Sequence, residues 1–149
     1  MRKVLGILGL GLGAVVAVTV LITIGAVLLE SNPAVRQEPP WDTPQTKALA
    51  QRACYDCHSN ETVWPLYAKL PFASWLVVFD TYRGRRNLNF SEWQSPLTGG
   101  RGGNREREAA EVITAGSMPP SYYTLMHPEA ILTAQEKQQL ILVLQQSLR

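Results

Sequence analysis

The chain has 149 residues, a hydrophobic share of 46%, 14 basic against 12 acidic residues and a formal net charge of +2. So small a charge implies no nucleic-acid partner. With no internal repeat and one apolar N-terminal run, the rest of the length suits a single modest core.

Arg2 and Lys3 open the chain and are followed by the uncharged run Val4–Leu29, almost wholly Val, Leu, Ile, Gly and Ala. This run exceeds the ~20 residues a helix needs to cross the hydrocarbon core and the ~7–15-residue apolar region of a secretory signal. Residues 1–30 therefore read as an uncleaved transmembrane anchor, with a cleaved signal peptide as the alternative. The two cations precede the span, and Glu30, Arg36 and Glu38 follow it. By the positive-inside rule everything after Leu29 lies outside the cytoplasm, which in a bacterium means a single-pass protein of the inner membrane facing the periplasm.

Residues 31–40 carry Pro33, Pro39 and Pro40 and read as an extended tether. Residues 41–149 form one helical domain. Thr43-Pro44 is an N-cap with proline at the first helical position, and that helix runs through Leu49, Ala50 and Ala53, ending at the cysteines. Pro71–Arg86 repeats Phe72, Trp75, Leu76 and Phe79 at helical spacing. A glycine-rich loop follows at 95–103, then a helix capped by Asn104 and stopped at Gly116. Thr133 and Glu136 form a capping box for a last helix with Leu140, Ile141, Leu144 and Leu148 on one face. Strand signals are weak. The expected fold is all-α: a small cytochrome c-like helical domain with long loops, preceded by one transmembrane helix.

Cys54-Tyr55-Asp56-Cys57-His58 contains both cysteines of the chain and one of its two histidines. C-x-x-C-H is the attachment signature of c-type haem. Thiols three positions apart reach two vinyl groups of one porphyrin, and the next His is held beneath the iron as proximal ligand. Zinc would want four ligands, and His127 stands far away. A thioredoxin-like pair would open a helix in a βαβ unit. A Cys54–Cys57 disulfide would be strained and would leave His58 without a role. One covalent haem c is the expected cofactor, and extracytoplasmic exposure is where such haem is attached.

For the second axial position, Met118 lies in Gly116-Ser117-Met118-Pro119-Pro120, where the prolines enforce an extended loop. A thioether there would raise the reduction potential. Met126 and His127 are rival ligands. Metal ligation is thus expected from His58 and Met118.

Cys54-Tyr55-Asp56-Cys57-His58-Ser59-Asn60-Glu61-Thr62, Trp64-Pro65, Ser74-Trp75-Leu76, Gly84-Arg85-Arg86-Asn87-Leu88-Asn89-Phe90-Ser91-Glu92-Trp93 and Met118-Pro119-Pro120 with Tyr122 and His127-Pro128 resemble the bacterial haem-binding domain proteins related to cytochrome c. The resemblance spans nearly all of residues 41–148 in order. It implies a membrane-tethered or exported monohaem protein of c type. Within the family-like stretch Arg85, Arg86, Asn87 and Trp93 are candidate donors to the haem propionates, with a solvated helix end as the alternative for the arginines. Trp64 and Trp75 are expected to pack against the porphyrin.

These readings converge on an electron carrier with no organic substrate and an unidentified redox partner, tethered near that partner. Arg83, Arg85, Arg86, Arg101, Arg105 and Arg107 would steer an acidic one. A small peroxidase-like or gas-reactive haem enzyme and a haem-based sensor module are the alternatives.

Overall fold

The computed structural model describes residues 2–93 and 105–147. The expected glycine-rich loop at 95–103, the Asn104 cap, Arg101 and Leu148 lie outside them. The described residues are helical, with no strand among them: α1 (Arg2–Leu29), α2 (Pro44–Ala53), α3 (Tyr55–His58), α4 (Ala73–Asn87), α5 (Arg105–Thr114), α6 (Ser121–Met126) and α7 (Ala134–Ser147), with 3₁₀ turns at Leu66–Lys69 and Pro128–Ala130. The chain divides into two compact units.

The first unit comprises residues 1–31 and 64–80. Its Gly11–Leu29 stretch has a mean hydropathy of 2.7 and is long and apolar enough to cross a membrane. The Leu66–Lys69 turn packs on α1, and Lys69 Nζ pairs with Glu30 Oε2. The Phe72, Trp75, Leu76 and Phe79 side chains that recur at helical spacing are all exposed.

The second unit comprises residues 32–63 and 81–149. Its core gathers Ala50, Ala53, Tyr55, Phe90, Trp93, Ile113, Ala130, Leu132, Leu140 and Leu144. α2 buries a narrow face of Thr46, Ala50 and Ala53. Such small residues let the bulky Leu140 and Leu144 of α7 approach closely, and α2 and α7 do pack together. Local chemistry sets the boundaries. Thr43 Oγ1 accepts from Thr46 N at 3.1 Å, and Pro44 begins α2. Gly116 takes φ +71°, a left-handed stop that glycine adopts without strain. Thr133 and Glu136 cap each other reciprocally, with Thr133 N donating to Glu136 Oε2 at 2.8 Å and Glu136 N to Thr133 Oγ1 at 3.3 Å.

The segment at 31–40 is extended, and side chains and backbone of the second unit hold much of it. Arg36 N and Gln37 N donate to the Ser91 carbonyl, Trp93 N donates to the Gln37 carbonyl, and Asn60 Nδ2 donates to the Ala34 carbonyl.

Candidate functional site

α2 does not carry the cysteines on an unbroken helix. The backbone breaks at Cys54, with φ −133° and ψ −32°, and the motif forms its own short helix, α3. Cys54 N still bonds the Ala50 carbonyl at 2.9 Å, while Cys57 N and His58 N both reach back to the Cys54 carbonyl. That single turn carries Cys57, and no disulfide joins it to Cys54. Burial first, then the adjacent Cys57 thiol, pushes the Cys54 thiol up to about 12, so it stays protonated at neutral pH.

His58 is fixed through its inner nitrogen. Nδ1 lies 3.0 Å from the carbonyl oxygen of Leu88. A carbonyl oxygen only accepts, so Nδ1 carries the proton and Nε2 keeps its lone pair for a ligand. Burial lowers the imidazole below its usual 6.5, against the opposing pull of the Leu88 and Gly84 carbonyls. A neutral ring is the form that binds a metal. The backbone below is equally constrained: Phe90 N donates to the His58 carbonyl at 2.7 Å.

α4 comes so close to the motif that only glycine fits. A Cβ on Gly84 would stand 2.3 Å from the Cys57 carbonyl oxygen and 2.8 Å from its carbon. One end of α4 therefore presses on Cys57 at Gly84 and, just past its last residue, holds the His58 ring at Leu88. Behind the ring lies an aromatic stack in which Phe90 is parallel to Tyr55 (5.4 Å) and to Trp93 (5.6 Å), with the His58 edge towards Phe90 at 6.5 Å.

Asp56, inside the motif, ties it to the chain on three sides. Its Oδ2 accepts from Tyr123 Oη at 2.8 Å, its Oδ1 from Val63 N at 2.9 Å, and its carbonyl from Thr62 Oγ1 at 2.8 Å. The Tyr123 ring stacks on His127 at 4.4 Å, and His127 Nδ1 lies 3.1 Å from Glu129 Oε1.

The remaining candidates are placed as follows. Arg85 donates through Nε to the Ser59 carbonyl at 2.6 Å and through Nη2 to Thr62 Oγ1 and Asn32 Oδ1 at 2.9 and 3.0 Å. Arg86 is exposed. Trp93 is buried, its N–H of the backbone on Gln37 and its ring on Phe90. Met118 lies between the Gly116 stop and α6, its side chain 36% exposed, its N bonded to the Val112 carbonyl at 3.2 Å. Met126 is exposed.

Asp56, Gly84, Leu88 and Tyr123 surround the motif as well, though the sequence pattern did not single them out. Asp56 and Gly84 carried a faint signal, an acid inside the motif and a glycine inside a helix. Leu88 acts through its backbone, which no side-chain pattern reveals.

The donor set fits a haem held by two thiols and one imidazole: no disulfide joins the cysteines, and the ring nitrogen opposite Leu88 keeps its lone pair. A family model described as a haem-binding domain matches residues 17–146. No curated protein and no solved structure matches the chain.

Proposed function

The chain belongs to the haem-binding domain family, and we propose that within it this protein is a membrane-anchored monohaem electron carrier of c type. Haem, when bound, supplies an iron that passes one electron between its ferric and ferrous states. Cys54 and Cys57 would hold the haem through thioethers to its two vinyl groups, an addition of S–H across C=C that needs no oxidant. His58 would offer Nε2 to the iron, with the Leu88 carbonyl fixing the ring's tautomer and bearing. Met118 is the proposed sixth ligand, carried on the loop between α5 and α6. α1 holds the protein in the inner membrane with the second unit on the periplasmic side, where a redox partner meets it.

The observation that carries this reading is the His58–Leu88 bond beside two cysteines that no disulfide joins. It turns a five-residue pattern into an imidazole with one nitrogen spoken for and the other available. The test is spectroscopic. The oxidised wild type is expected to be low-spin, with the weak far-red methionine–iron band, to bind cyanide slowly, and to lose that band in Met118→Ala. A high-spin ferric wild type that binds cyanide readily would overturn the electron-carrier reading in favour of ligand or peroxide chemistry.

A further inference from the structure

α4 is built inside out over its first turns. Ser74, Val78 and Thr81, at helical spacing, are buried, whereas Trp75, Leu76 and Phe79 are exposed, continuing from Phe72 just before the helix. The stacked rings of Trp75 and Phe79, 5.5 Å apart, form the middle of this outward stripe. Two leucines of the preceding turn, Leu66 and Leu70, are also exposed. Water alone gives no reason to bury Ser74 and Thr81 while four larger apolar side chains of the same stretch face outward.

Phe72 sharpens the point. Its φ is +67°, the left-handed region that a bulky residue rarely occupies. Neighbouring backbone bonds hold it there: Ala73 N to the Pro71 carbonyl, Ser74 N to the Leu70 carbonyl, and Leu76 N to the Phe72 carbonyl. The side chain so positioned is 81% exposed, so no core packing rewards the unfavourable backbone.

The location within the first unit identifies the medium. The Leu66–Lys69 turn packs on α1, Ala26 and Ala68 being the buried residues of the two elements. Lys69 Nζ pairs with Glu30, the residue directly after the apolar span. Ala26 is about one helical turn, roughly 5 Å, short of the end of α1. The exposed stripe therefore begins beside the last turn of the span, the depth at which Trp and Phe settle among lipid headgroups while lysine reaches the aqueous side.

We propose that residues 66–79 lie in the outer interface of the bilayer as a second, monotopic membrane contact, with Leu66, Phe72, Trp75, Leu76 and Phe79 among the acyl-chain ends and Lys69 at the headgroups. The occupant is phospholipid. This rests on α1 being a membrane span, a claim the same experiment tests separately.

The full chain carrying p-benzoylphenylalanine in place of Phe72 is reconstituted into vesicles of phosphatidylethanolamine and phosphatidylglycerol, tested for flotation and resistance to alkaline extraction, irradiated and digested. The expected result is an alkali-resistant protein whose residue-72 peptide carries a phospholipid adduct. An alkali-resistant protein whose probe links to a second copy, to another protein or to haem, or gives no adduct, overturns the interfacial contact and leaves the span standing. A chain extracted at alkaline pH overturns both.

Discussion

The carbonyl oxygen of Leu88 stands 3.0 Å from Nδ1 of His58, thirty positions away in sequence. Because Leu88 directly follows α4, and Gly84 lies one turn earlier against the Cys57 carbonyl, a single rigid element sets the bearing of the ring and the level of the second thiol. The motif is thus shaped from the α4 side.

Gly84→Ala tests that pressure directly. The added Cβ would meet backbone, not a flexible side-chain end, so α4 or the motif must shift. The expected cost is about 1–3 kcal/mol of stability, together with a clear drop in haem per chain after maturation. Thermal unfolding and haem-to-protein ratio measure both. An alanine variant with wild-type stability and loading would show that the close approach has no consequence.

Arg85 separates a structural role from a propionate role. Its bonds to Ser59, Thr62 and Asn32 use a guanidinium fork that lysine cannot reproduce. Arg85→Lys is expected to lower stability by about 1–3 kcal/mol while moving the reduction potential little. A large shift in potential at unchanged stability would assign the guanidinium to haem instead.

Much of this was legible in the sequence, because its cause is local. Thr43-Pro44, Gly116 and the Thr133–Glu136 box act within one turn of the chain, and each marks the boundary it was expected to mark. C-x-x-C-H points to haem through spacing alone, and the family match supports haem. What escaped was set by distant backbone or by the surrounding medium. Periodicity shows that Phe72, Trp75, Leu76 and Phe79 share a face, but it carries no information on whether that face meets a core, water or lipid. Arg85 reads as a helix-end cation, and only the folded chain brings Ser59, Thr62 and Asn32 to it. The break at Cys54 was also hidden, since nothing in Arg52-Ala53-Cys54 opposes a helix.

Tyr123→Phe removes the hydroxyl that donates to Asp56 Oδ2 at 2.8 Å and with it one link from α6 to the motif. A bond to a carboxylate of this exposure is worth about 1–2 kcal/mol. Chemical denaturation is expected to show that loss, with an unchanged dependence on denaturant. If Tyr123→Phe matches the wild type, the link contributes nothing to holding α6.

Acid should weaken the α2–α7 contact. Glu136 is held below its usual 4.5, first by the Thr133 backbone N–H and then by the Arg52 guanidinium, which lies 2.7 Å away. A carboxyl whose value falls on folding adds stability above its unfolded value and loses it as the pH drops through the folded one. Unfolding midpoints followed downward from pH 5 should therefore fall more steeply in the wild type than in Glu136→Gln. Parallel curves would remove Glu136 from the acid response.

The central claim is that Cys54, Cys57 and His58 bind one haem covalently. Acid–acetone extraction of the purified full chain, followed by a pyridine haemochrome spectrum of the protein pellet, tests it most directly. One haem per chain is expected to stay in the pellet with the spectrum of a porphyrin bearing two thioethers, and to be lost from it in the Cys54→Ser/Cys57→Ser double variant. Haem that passes wholly into the acetone from the wild-type protein would contradict it.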